Sequence, residues 1–141
     1  MSNAEDILLL LVDDDDIDVE GIERAFKKNK IANPIMRARD GLDALDLLEN
    51  SINQPYVILL DLNMPRMGGI EFLKVIRQHP IHRHAIVFIL TTSDADQDIT
   101  ATYQEHISGY FVKSEMGANF FEIAKLLEGY WKMVKLPTLK V

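Results

Sequence analysis

The sequence predicts an α/β domain: a parallel sheet with helices on both faces. Two observations predict it. Short apolar runs alternate with amphipathic stretches five times along the 141 residues, which is the signature of repeated β-α units joined by right-handed crossovers. Four of those runs stop on a polar residue. Ile7–Val12 meets Asp13-Asp14, Tyr56–Leu60 meets Asp61, Ala85–Leu90 meets Thr91, and Tyr110–Val112 meets Lys113. In a parallel sheet these stops share one edge, the carboxyl edge, where ligands of such sheets bind.

The elements follow in order. Ile7–Val12 is almost continuously apolar, as a strand buried on both faces must be. Residues 17–28 carry Val19, Ile22 and Phe26 on one helical stripe. Pro34–Arg39 is less apolar and reads as an edge strand, with Pro34 at its start. Asp40 is the expected N-cap of a helix whose stripe is Leu42, Leu45 and Leu48. Val57–Leu60 is a strand. Gly68-Gly69 introduces a helix with Ile70, Leu73 and Ile76 or Arg77 inward. Ala85–Leu90 is a strand, and Ser93 is placed to cap a weakly amphipathic helix over 94–106, with Asp96 completing a capping box. Gly109–Val112 is the last strand. A final helix from about Asn119 has Phe120, Ile123, Ala124, Leu127, Tyr130, Trp131 and Val134 at three-to-four spacing.

Composition narrows the function. Hydrophobic residues make up 48% and charged residues 26%, ordinary for a water-soluble fold. A net charge of −7 argues against a nucleic-acid surface, which needs a basic face. The absence of cysteine excludes disulfides, thiolate metal sites and a cysteine nucleophile. No apolar stretch approaches the roughly 20 residues of a membrane span, and the N-terminus lacks a signal-peptide pattern. The expected location is the cytoplasm. Ser2-Asn3-Ala4 has the look of a cloning remnant, so residues 1–5 carry no weight; 6–135 is expected to be one domain and 136–141 a short tail.

Asp13, Asp14 and Asp61 in one cleft would repel one another at neutral pH. A Mg²⁺ ion with the Lys113 ammonium balances them, and Mg²⁺ favours such oxygen ligands. An aspartate is also a competent nucleophile toward phosphorus. The metal, Lys113 and the Thr91 hydroxyl would then hold the oxygens of a moving phosphoryl group. Singly, each residue has a plainer reading: a capping aspartate, a turn residue, a turn hydroxyl, a surface lysine. Four strand ends carrying four complementary chemistries favour the joint reading.

Those residues resemble the response-regulator receiver domain of two-component signalling over roughly residues 6–135. The most specific segment is Ile58-Leu-Leu-Asp-Leu-Asn-Met-Pro-Arg-Met-Gly-Gly69. The resemblance implies a flavodoxin-like, five-stranded sheet in order 2-1-3-4-5. It implies Asp61 as phosphoacceptor, and a Mg²⁺ site made by Asp13, Asp14, Asp61 and the backbone carbonyl of Asn63. It further implies Thr91 as the switch hydroxyl, Lys113 in Ser108-Gly-Tyr-Phe-Val-Lys113 as the phosphate-binding lysine, and Tyr110 as the switch aromatic. Asn63 and Ser93, two residues past Asp61 and Thr91, are expected to border the phosphoryl group. The segments Asp18-Val-Glu-Gly-Ile-Glu-Arg-Ala-Phe-Lys-Lys28, Leu90-Thr-Thr-Ser93 and Tyr130-Trp-Lys-Met-Val-Lys-Leu-Pro137 are similar to the single-domain, cyanobacterial phytochrome-associated type. That likeness implies a sensor histidine kinase, of phytochrome type, or a histidine phosphotransfer protein as donor, and a homodimer as a possible assembly through the last helix. Only a short tail, Lys132–Val141, follows the last helix, so no output domain is expected in this chain.

One departure stands out: Ser114 follows the lysine where the family has proline in a cis bond. A cis bond to a residue other than proline costs about 3 kcal/mol. Lys113–Ser114 is therefore expected to be trans, or cis only under strain. Two other readings compete. A phosphatase or phosphotransferase of the haloacid-dehalogenase type needs a second acid two residues after its nucleophile, and that position is the amide Asn63. A module that works without phosphorylation would not need the full set of site residues. A dinucleotide role lacks the Gly-x-Gly-x-x-Gly turn.

Overall fold

Leu8 to Val12 alternate strictly between two hydrophobic cores, and this explains the whole architecture. Leu8, Leu10 and Val12 face one core, closed by Ala44, Leu48, Phe72, Leu73 and Ile76. Leu9 and Leu11 face the other, closed by Val19, Ile22, Phe26, Ile123, Leu127 and Trp131. A strand with helices on both sides must be apolar at every position, which is why its sequence lacks alternation.

The computed structural model describes residues 6–117 and 119–137. The chain runs β1 (Leu8–Val12), α1 (Asp16–Lys28), β2 (Ile35–Ala38), α2 (Gly41–Asn50), β3 (Tyr56–Leu60), α3 (Gly69–Arg77), β4 (Ile86–Thr91), α4 (Asp96–Gln104), β5 (Gly109–Val112) and α5 (Phe121–Met133). The five strands form one parallel sheet in the order β2-β1-β3-β4-β5. This is the predicted fold. The expected remnant at 1–5 and most of the expected tail lie outside the described residues.

Four local expectations need correction. In α2, Leu42 is 43% exposed, and the buried face is Gly41, Ala44 and Leu48. Met67 packs so close to Gly41 that an added Cβ would lie 2.6 Å from Met67 Cγ, so close approach, not side-chain size, selects that face. In α3, Phe72 is fully buried beside Leu73 and Ile76, while Ile70 is only partly so. The helix expected over 94–106 starts at Asp96, with Ala95 at the N-cap position. Ser93 does not cap it: its hydroxyl donates to Asp98 Oδ2 at 2.6 Å and accepts from the Ala95 N–H at 3.3 Å. The last helix starts at Phe121 rather than near Asn119, because Phe120 adopts a left-handed conformation (φ 54°) and buries its ring. That ring needs Gly21: a Cβ there would sit 3.1 Å from Phe120 Cδ2. The Lys113–Ser114 bond is trans, and Lys113 opens a 3-10 turn to Glu115.

Candidate functional site

β1 and β3 are adjacent, so their ends bring Asp13 and Asp61 side by side. The Asp61 N–H donates to Val12 O at 2.8 Å and the Asp13 N–H to Ala38 O at 3.0 Å, carrying the ladder one step past each strand. Both carboxylates are buried, Asp13 at 1% exposure and Asp61 at 6%. Asp14 is exposed on the rim.

The loops that follow are pinned. Asp15 caps α1 by accepting from the Ile17 and Asp18 N–H groups at 2.9 and 3.2 Å. Its own N–H donates to Asp13 Oδ1 at 2.9 Å. Arg37 on β2 donates from Nε to Asp13 O at 2.9 Å and pairs with Asp16 at 2.8 Å. On the other side, the Gly69 N–H donates to Leu62 O at 3.0 Å. A Cβ on Gly69 would lie 2.5 Å from Asp61 O, so the turn closes only around glycine. Arg66, at φ 58°, grips the buried N-cap Asp40 with two bonds, at 2.6 and 3.0 Å. Burial works against the Asp40 charge, yet those bonds hold its carboxyl below the usual range.

Asp61 Oδ1 accepts from the Thr91 hydroxyl at 2.7 Å and the Leu62 N–H at 2.7 Å, and more loosely from the Asn63 N–H at 3.4 Å. Lys113 Nζ lies 2.9 Å from Asp13 Oδ2, 2.7 Å from Asp18 Oδ2 and 3.4 Å from Asp61 Oδ2. Burial pulls the ammonium toward its neutral form, but its bonds to Asp18 and Asp13 and the charge of Asp61 outweigh this and drive its pKa up. Asp13 goes the other way for a carboxylate. Burial raises it to about 6, with the Asp61 charge adding, and the bonds from Lys113 and Asp15 only partly compensate. At the sheet edge the half-buried Tyr110 donates its hydroxyl to Ser93 O at 2.8 Å, and burial raises its pKa.

The structure therefore gathers Asp13, Asp14, Asp61, Thr91 and Lys113 in one cleft, with Asn63 beside Asp61 and Tyr110 one strand further out. One oxygen from each of Asp13, Asp14 and Asp61 falls within 4.8 Å of the others. An all-oxygen set of three neighbouring carboxylates suits a hard divalent cation. Sequence reasoning missed Asp18, Arg37 and Arg66. Their partners are distant along the chain, and only Asp18, one turn into α1, had a usable signal: a buried lysine needs counter-charge, and α1 starts beside the site.

The chain matches the family described as response regulator receiver domain over residues 9–125. It belongs to that family. Among receiver relatives, Response regulator Rcp1 of Synechocystis sp. is 35% identical over 137 residues, covering 92% of each chain. A probable methanogenesis regulatory protein, FilR2 of Methanothrix harundinacea, is 32% identical over 91% of this chain and 86% of its own. Among solved receivers, the phosphorylated cyanobacterial phytochrome response regulator RcpA superposes with a TM-score of 0.82 at 31% identity, covering 93% of this chain and 98% of that one. The Mn²⁺-bound form of Rcp1 gives 0.81 at 33%, covering 93% and 99%. Response regulators are signalling proteins, and among the described residues no helix is long and apolar enough to cross a membrane.

Proposed function

We propose that this receiver accepts a phosphoryl group on Asp61 from a histidine kinase or a histidine phosphotransfer protein, and that the kinase is of phytochrome type. The observation that carries this reading is the Asp61 carboxylate, buried between a hydroxyl donor and an ammonium at the carboxyl edge of the sheet. A bond forms between an Asp61 carboxylate oxygen and phosphorus as the phosphorus–nitrogen bond of the donor histidine breaks. The electron pair stays on the imidazole, which then takes a proton.

Asp13, Asp14, Asp61 and the Asn63 backbone carbonyl would hold Mg²⁺. When bound, that ion neutralises charge on the phosphoryl oxygens and on the carboxylates. The clustered oxygens of Asp13, Asp14 and Asp61 and the Mn²⁺-bound form of Rcp1 support a divalent site here. Lys113 stabilises one phosphoryl oxygen and the Thr91 hydroxyl another. Arg37 and Asp15 keep the Asp13 backbone and side chain in place, and Gly69 keeps the Asp61 loop tight. Thr91, drawn to the phosphoryl group, and Tyr110, released from Ser93 O, shift the surface formed by α4, β5 and α5 between two populations. The domain comprises residues 6–135 and works in the cytoplasm beside its kinase. Leu126 and Met133 on the exposed flank of α5 are available to a second copy, which size-exclusion chromatography with light scattering would reveal.

Intact mass after incubation with acetyl phosphate tests the reading. The expected result is one phosphoryl adduct that needs Mg²⁺ and is absent from Asp61→Asn. An adduct that survives in that variant would overturn it, as would no adduct at any donor concentration.

A further inference from the structure

We infer that Asp18 is a positioning residue that aims the Lys113 ammonium at Asp61, an inference that rests on the function proposed above. Its carboxylate makes the shortest contact to Lys113 Nζ, 2.7 Å against 2.9 Å for Asp13 and 3.4 Å for Asp61. Asp18 stands apart from the three carboxylates whose oxygens cluster for a cation.

An ammonium has three N–H bonds in a tetrahedral fan. Fixing two of them, on Asp18 and Asp13, fixes the third. That third bond points along the long contact to Asp61 Oδ2, where an arriving phosphoryl oxygen would come within reach. Lysine otherwise positions itself poorly, because its four-carbon stem is flexible and its charge is a point. The backbone gives little help: Lys113 opens a 3-10 turn with no side-chain cap.

The two anchors are not equivalent. Asp13 also accepts from the Asp15 N–H, and a cation in the cleft would draw on its charge. Among the described residues the Asp18 side chain has no such second claim, so it remains the anchor when the cleft is loaded. Its own place is secure. The Asp18 N–H is held by Asp15, and α1 packs on the segment after Lys113 through Phe120 against Gly21. The 22% exposure of its side chain keeps this pair from being a fully desolvated ion pair, so the role is aim more than stability.

Two measurements on the intact chain test the inference. The first needs no phosphorylation. Isotope-labelled lysine ammonium NMR, with Lys113 assigned through Lys113→Arg, should show a protected Lys113 signal in the wild type that Asp18→Asn loses to solvent exchange. An equally protected signal in Asp18→Asn would overturn the inference. The second is the initial rate of adduct formation with acetyl phosphate and Mg²⁺. Asp18→Asn should slow it about tenfold or more, since loss of aim at a reacting centre costs at least that. Combining Asp18→Asn with Lys113→Ala should be no slower than Lys113→Ala alone, to within about twofold, if Asp18 acts through the lysine. Additive losses, or a wild-type rate in Asp18→Asn, would also overturn it. A wild type that takes no phosphoryl group counts against the function and leaves the NMR result to decide the role of Asp18.

Discussion

Every residue of β1 and β3 is buried, whereas every residue of β5 is only half-buried and α4 buries Thr102 alone. The two regions share one sheet and one carboxyl edge. The centre carries the acids, Asp13 and Asp61, on strands packed from both sides. The edge carries Tyr110, next to a helix that packs mainly on α3. Density of packing sets how costly local rearrangement is. The region that concentrates charge is the stiff one, and the region that would report phosphorylation is the one with little to lose by moving.

The largest effect should come from the centre. Leu60 is fully buried one residue before Asp61. Leu60→Ala should cost about 2–5 kcal/mol in urea unfolding, from lost transfer energy and the cavity left behind. Ile99 in α4 is half-buried, and Ile99→Ala should cost no more than about 1 kcal/mol. Equal losses at the two sites would break the contrast.

Gly69→Ala comes next. Its Cβ would meet backbone atoms on two sides, Asp61 O at 2.5 Å and Leu62 Cα at 2.9 Å, and backbone cannot rotate away. The expected loss is about 1–3 kcal/mol. Phosphoryl uptake should slow with it, because relief of the clash must move the Asp61 loop.

Charge at the centre gives a prediction of opposite sign. The Asp13 pKa is raised in the folded state to about 6 against an ordinary 3.8, so between those values the folded protein binds more protons than the unfolded one. Without divalent cations, the contribution of Asp13 to stability should therefore improve as pH falls from 7 toward 5, against the opposite contribution of His82, whose pKa burial lowers. Asp13→Asn should stabilise the metal-free protein at pH 7, on the order of 1–2 kcal/mol. Melting curves of wild type and Asp13→Asn in a chelator, repeated in excess Mg²⁺, check both: the advantage of the variant should shrink on acidification, and the cation should abolish it. A difference between wild type and Asp13→Asn that does not shrink over that range would contradict the account of Asp13.

The same contrast marks what was legible in the sequence. The centre announced itself because burial on both faces leaves no room for ambiguity: Leu8–Val12 and Tyr56–Leu60 are unbroken apolar runs, each ending on its acid. The α2 face was misread because hydrophobicity ranks Leu42 above Gly41 and Ala44, while the decision rests on how close Met67 approaches. The α4 start was misread because Ser93 has the right chemistry for a cap, yet Asp98 claims its hydroxyl. Of the site, the end-of-strand residues were readable from the local pattern. Arg37 and Arg66 were not, because each is defined by a partner at least 24 residues away, Arg37 by Asp13 and Arg66 by Asp40, and Asp18, 95 residues from Lys113, offered only the indirect signal that a buried lysine needs counter-charge.

The smallest expected effect sharpens the edge side of the comparison. Tyr110→Phe removes one hydrogen bond, the 2.8 Å donation to Ser93 O, and leaves the ring where it packs. Ser93 O lies in a half-exposed loop, so water can replace the lost donor. Unfolding should cost about 0.5–1 kcal/mol less. Asp61 lies two strands away, and its own bonds to Thr91 and Leu62 are untouched, so phosphoryl uptake should keep its wild-type rate. What should change is the response: with the tether to Ser93 gone, amide exchange in α4 should be faster before phosphorylation and less altered by it. A loss as large as that of Leu60→Ala would mean the edge is as firmly packed as the centre, and the division between a stiff acidic wall and a yielding rim would fall.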